Sequence, residues 1–174
     1  MGVEFGTNEH HWFIRMGSMG DEHDFEFLDP GQLVDGDLEL ILAEKRPANP
    51  TKGFVPVYVF QMRPVGQKTN VGNIALRVGH NENIEKYAGH IGYYVSPKYR
   101  GYRYAARSCK LILPIARRHS LNPLWITCNP DNLASRRTCE IVGARFVETV
   151  TVPPNFYHLY KNSDRMKCRY CIDF

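Results

Sequence analysis

The sequence contains no apolar run near the ~20 residues that a membrane-spanning helix needs, and its first residues show no basic segment leading into an apolar block. Neither a membrane partner nor a secretory signal is expected, and the cytosol is the default location. Phosphate-binding glycine motifs are missing too. No Gly-Lys-Ser/Thr triplet marks a Walker loop, and no three spaced glycines mark a dinucleotide fingerprint. The five cysteines are scattered and odd in number, which argues against a disulfide framework. Cys168-Arg-Tyr-Cys171 has the look of half a zinc site, but a second pair is missing and residues three apart on a strand point to opposite faces, so no metal is expected. The charge imbalance is small, with 22 basic against 18 acidic residues and a net +4. That permits an anionic ligand without demanding nucleic acid, which becomes the weakest reading because aromatic residues are not interleaved with the basic ones.

What is present suits one domain. A chain of 174 residues, 43% hydrophobic and 23% charged, buries roughly 70% of its unfolded surface. Residues 1–20 carry Met16, Met19 and Gly-Ser punctuation without an apolar period, and read as a leader or vector remnant in which His10 and His11 are incidental. Residues 21–174 then form a single domain. Leu38 to Ala43 suits a first strand, Val55 to Met62 alternates as a second, and Val71 to Val78 returns as a third after the Gly66–Asn70 loop. Leu124 to Cys128 is a short buried strand, Leu133 to Val142 a helix stopped by Gly143, Ala144 to Val152 a strand, Pro153 to Asp164 an aromatic loop, and Met166 to Phe174 a closing strand. That last strand places Cys168 on a core face and could pair across a dimer, so a monomer and a homodimer both stay open.

The stretch that organises these elements runs from His90 to Ala106, HIGYYVSPKYRGYRYAA. Ile91, Tyr93 and Val95 alternate as a strand that Ser96-Pro97 stops, and the apolar period turns helical after Tyr102. The helix carries Ala105, Cys109, Ile112 and Ile115 on one face, and Pro114 inside it is expected to bend or break it. A turn that delivers free backbone N–H groups to a helix N-terminus binds anions. Arg100-Gly101-Tyr102-Arg103-Tyr104-Ala105 therefore reads as a phosphate cradle, with Arg103 and Arg107 as candidate phosphate partners.

The order of these elements, with the Arg100-x-x-Arg103-x-Ala105 turn and the later Asn129-Pro-Asp-Asn132-x-x-Ser135…Gly143 block, resembles the GNAT superfamily of acetyl-CoA-dependent N-acyltransferases. It is most similar to the branch that includes ribosomal-protein N-terminal acetyltransferases. The resemblance covers about residues 25 to 174, and one position departs from the family pattern, since Arg103 stands where glycine is usual. It implies an α/β (α+β) fold, a GNAT-like mixed and largely antiparallel sheet of about six to seven strands flanked by helices. A central pair, Ile91–Ser96 and Leu124–Cys128, would splay apart to admit pantetheine, with Gly89 and Gly92 fitting a distorted strand. It further implies that acetyl-CoA is the co-substrate. N–H groups from Gly101, Tyr102, Arg103, Tyr104 and Ala105 beside Arg100 would hold the pyrophosphate, Val95 would bond pantetheine or polarise the thioester, and Asn129, Asn132 and Ser135 would line the other side.

Acetyl transfer to an amine needs a neutral nucleophile, a polarised carbonyl and a proton for the leaving thiolate. His90 occupies the position where relatives often carry a glutamate, and is the candidate base, with Glu82 and Glu85 competing. The position of the family's acid tyrosine holds Cys139, whose thiol is a candidate to accept the acetyl group covalently or, as free cysteines usually are, a core filler. Tyr157, with Tyr94 and Tyr160, is the alternative acid, and the Pro153–Asp164 loop is the candidate lid over the acceptor. The expected function is an N-acetyltransferase acting on a primary amine, either a small molecule or a protein N-terminus, by direct attack in a ternary complex. The rival is a non-catalytic acyl-CoA-binding or sensing module.

Overall fold

The protein is described by a computed structural model over residues 25–49, 51 and 54–174; the expected leader over residues 1–20 lies outside the described residues. The chain forms eight strands: β1 Leu33–Asp35, β2 Leu38–Arg46, β3 Val57–Pro64, β4 Gly72–Arg77, β5 Ile91–Val95, β6 Leu124–Cys128, β7 Arg145–Thr151 and β8 Met166–Ile172. They form one sheet in the order β1-β2-β3-β4-β5-β6-β8-β7. Every neighbouring pair is antiparallel except β5 and β6. The count exceeds the six to seven expected because β1 is three residues long, with only Leu33 buried, and shows no alternation to read.

Two helices cover one face. Helix α1, Tyr104–Arg118, buries Tyr104, Ala106, Ser108, Cys109, Ile112, Ile115 and Ala116. Together with Leu38, Phe60, Ile74, Leu76, Ile91, Leu124 and Ile126 these make the main core. Pro114 does not break α1 as the sequence predicts. Lys110, whose carbonyl Pro114 cannot serve, is exposed, so water can take the missing partner's place. Helix α2, Leu133–Ile141, is capped by the Asn132 side chain, which accepts from Ser135 N at 3.1 Å. It ends in a Schellman motif, with Gly143 at φ 83° donating to Glu140 O and Ala144 donating to Cys139 O.

The opposite face is covered by short turns. A single π-helical turn over Ile84–Ala88 and a 3₁₀ stretch over Pro154–Leu159 bring Tyr87, Val152, Phe156 and Tyr160 into a small second cluster. All five cysteines are buried and free. Among the described residues no three His, Cys, Asp or Glu side chains group to hold a metal, and no helix is long and apolar enough to cross a membrane.

Candidate functional site

The sheet opens between β5 and β6. β5 is fully paired to β4 from Leu76↔Ile91 to Gly72↔Val95, but meets β6 through one register pair, Ile91↔Ile126. The two parallel strands part beyond that point, as the sequence predicts for a splayed pair. A side chain holds the closed end: His90 N–H donates to Trp125 O at 2.7 Å, and Trp125 N–H donates to His90 Nδ1 at 2.9 Å. The imidazole thus stands in for a backbone carbonyl in the ladder. Gly89 makes the approach possible, because at φ 72° a Cβ there would lie 2.9 Å from Thr127 N. Gly92 leaves room for the Arg77 guanidinium, whose NH1 and NH2 would both sit 3.2 Å from a Cβ; Arg77 NH1 donates to Gly89 O at 3.1 Å.

At the open end stands the start of α1. The chain leaves β5 through a 3₁₀ turn over Pro97–Tyr99, then passes Gly101 at φ 95° and Arg103 at φ 58°. Arg103 therefore sits in the left-handed region, not the helical one, which explains why glycine suits this position. No side chain caps the helix. Among the described residues, the backbone N–H groups from Gly101 to Ala106 have no acceptor, and the first N–H that does, Arg107, bonds Arg103 O. Six neighbouring donors and the positive end of a 15-residue helix converge there. Arg100 Nε folds back onto Val95 O at 3.1 Å, and the exposed Tyr102 ring stacks on Tyr104. Arg107, a candidate phosphate partner from the sequence, is engaged elsewhere. Its guanidinium holds Asp35 and Asp37, each at 2.8 Å, and the Asp35 carbonyl in the β1–β2 turn.

On the far wall, Asn132 and Ser135 lie together at the start of α2, while the Asn129 amide is turned away from them. Its Nδ2 donates to Asp164 Oδ1 at 2.6 Å and its Oδ1 accepts from Lys167 Nζ at 2.6 Å. Tyr93, which the sequence reading passed over, reaches from β5 to α2, its hydroxyl donating to Ser135 O at 3.4 Å. Burial pushes its phenol well above the usual range. Its place on the α2-facing side of a five-residue strand was the available signal.

The candidate acid and base groups are distributed unequally. His90 is 0% exposed, and burial, then neighbouring His80, lowers its pKa to about 3. Because Trp125 N–H fills Nδ1, the neutral ring carries its hydrogen on Nε2, beside the Gly79 backbone, and has no free lone pair with which to act as a base. This corrects the expectation drawn from its position. Cys139 is also 0% exposed; its neighbour Cys128 and burial hold the thiol protonated, which suits a core group and not a nucleophile. Tyr157 is half-buried, its ring 3.3 Å beneath the Arg165 guanidinium in the candidate lid. Glu82 pairs with Lys86 at 3.1 Å and Glu85 with His80 at 3.0 Å.

No curated protein sequence matches the chain. Solved structures do, at identities that establish the fold. The microcin C7 self-immunity acetyltransferase MccE, in complex with acetyl-CoA and AMP, superposes with a TM-score of 0.52 at 16% identity over 68% of this chain and 61% of its own. The ribosomal L7/L12 alpha-N-protein acetyltransferase RimL, in complex with coenzyme A, gives 0.53 at 18% over 68% and 62%. A Vibrio cholerae protein assigned as a ribosomal-protein-serine acetyltransferase gives 0.58 at 17% over 84% of this chain and 100% of its own. The chain thus spans less than two thirds of the length of the first two. The model of the acetyltransferase (GNAT) domain matches residues 20–145, and with the splayed strand pair and the open helix start this places the chain in the GNAT acetyltransferase family.

Proposed function

We propose that this chain is a cytosolic N-acetyltransferase that moves the acetyl group of acetyl-CoA to a primary amine. The observation that carries the reading is the parallel pair joined at one register point, with six free N–H donors at its mouth. The donors from Gly101 to Ala105 and the Arg100 and Arg103 side chains hold the pyrophosphate. The pantetheine lies between β5 and β6, with Val95 on one side and Asn132 and Ser135 on the other. Asn129 contributes by fixing Lys167 and Asp164 beside that wall. The amine nitrogen attacks the thioester carbonyl carbon, a C–N bond forms and the C–S bond breaks. One proton leaves nitrogen and one reaches sulfur, so the net movement is a hydrogen from amine to thiolate. With His90 lacking a lone pair, water at the cleft takes the amine proton, and Tyr157 in the lid is the candidate donor to sulfur. Proximity of bound amine and thioester supplies most of the rate in such an arrangement.

Calorimetry against acetyl-CoA tests the reading, with near one-to-one binding expected; no binding would remove it. Arg100→Ala should weaken CoA binding more than Lys68→Ala, a substitution of a surface lysine in the β3–β4 loop. A second reading, a CoA-binding sensor, draws on the protonated thiol at Cys139 and the donor state of His90. Release of free CoA in the presence of mixed amines separates the two, since a sensor binds without turnover.

A further inference from the structure

The face of the sheet opposite α1 is rich in buried donors that lack acceptors. Among the described residues, Asn81 Nδ2, Asn83 Nδ2 and Arg165 Nε are buried without a hydrogen bond, while the His90 ring has the Gly79 backbone beside it. Asn81 Oδ1 accepts from Ile84 N, so the other atom of that amide carries hydrogen. Arg165 Nε is a donor in any case. A native protein leaves few buried polar groups unmet, and three of one polarity point to a ligand of the other polarity.

The charges agree. Lys167 is 7% exposed, and its ammonium makes one hydrogen bond, to Asn129 Oδ1. No carboxylate lies within ion-pair distance of it among the described residues. Asp164, bonded to the other end of the Asn129 amide, and Asp131 act on it electrostatically from beyond ion-pair distance. Buried ammonium groups ordinarily have an anion beside them. The groups adjoin one another: Lys167 Nζ lies 5.0 Å from the Tyr160 ring centre, and the Tyr160 hydroxyl donates to Asn83 Oδ1 at 2.6 Å. The buried Arg77 is within electrostatic reach of both Tyr160 and His90. The positive field therefore runs from Lys167 along Tyr160 and Asn83 to the closed end of the cleft. Tyr87, Val152, Phe156 and Tyr160 pack beside it.

We infer that the amine acceptor of this protein carries a carboxylate, which lies against Lys167 and the unmet donors on the face opposite α1; this rests on the transferase reading above. A free amino acid has the required chemistry, whereas a protein N-terminus with a neutral first residue lacks it. The test compares a mixture of the free amino acids with the same amino acids as α-carboxamides, in the presence of acetyl-CoA, reading released CoA thiol. The acids are expected to release thiol at least ~10-fold faster, because loss of one charge-assisted hydrogen bond in a buried site costs about that factor. Lys167→Met should bring the ratio of acid to amide near one. Equal use of acids and amides in the unaltered protein, preference for the amides, or a Lys167→Met protein that keeps the preference overturns the inference. A parallel measurement reads thermal stabilisation of the CoA-saturated protein by the two mixtures. Stabilisation by the acids and not the amides, without thiol release, supports the carboxylate site and counts against the transferase reading alone. Stabilisation by neither, with no thiol released from the acids, overturns the inference.

Discussion

Acidification probes the junction between β5 and β6 at one group. In the unfolded chain the His90 imidazole titrates near 6.5, and in the folded protein near 3, chiefly because it is buried. Between those values the unfolded chain binds a proton that the folded protein does not, so stability falls as the pH drops through 6.5 and keeps falling to about 3. From pH 7 to pH 5 this one ring accounts for about 2 kcal/mol, at about 1.4 kcal/mol per pH unit once below the unfolded value. His90→Asn offers an acceptor near the Nδ1 position and cannot titrate, so it should lose about 2 kcal/mol less over the same interval. Urea unfolding of both proteins at the two pH values gives the comparison, and groups common to both cancel. A pH dependence as steep in the variant as in the parent would refute the placement of a neutral imidazole at the strand junction.

Arg103→Gly should relieve roughly 1–2 kcal/mol of left-handed backbone strain and return part of it as unfolded-chain entropy, for a gain of about 1 kcal/mol or roughly 2–4 °C in Tm. A lower Tm would show that the arginine side chain holds the turn together. Gly89→Ala combines the same strain with a 2.9 Å approach to Thr127 N. Its expected cost is about 2–4 kcal/mol in chemical unfolding, with weaker CoA binding because β6 is pushed from its place. Asn132→Ala removes the α2 cap and should lower stability by about 1 kcal/mol in thermal melts; an unchanged melt would mean that water serves Ser135 N equally well.

Much of this architecture was legible because burial writes a period into the sequence. β6 alternates, Asn132 and Gly143 bracket α2, and the Arg100–Ala105 turn announces an open helix start. What stayed hidden has no local signature. β1 is too short to alternate, and Pro114 sits on the one face of α1 where its missing hydrogen bond is inexpensive. Nothing near Arg107 reveals that Asp35 and Asp37 will take it. His90 is the instructive failure: its place in the sequence suggested a base, but which ring nitrogen is occupied depends on Trp125, 35 positions away. Lys167 falls within the closing strand, and only the folded arrangement shows it buried with one hydrogen bond and no carboxylate within ion-pair distance among the described residues.

β8 lies between β6 and β7, two strands that precede it in the chain. The last strand of the chain enters as a keystone, bonded along both sides. The pairing of β7 is with β8, so a chain that stops short of Met166 leaves β7 without its neighbour in the sheet.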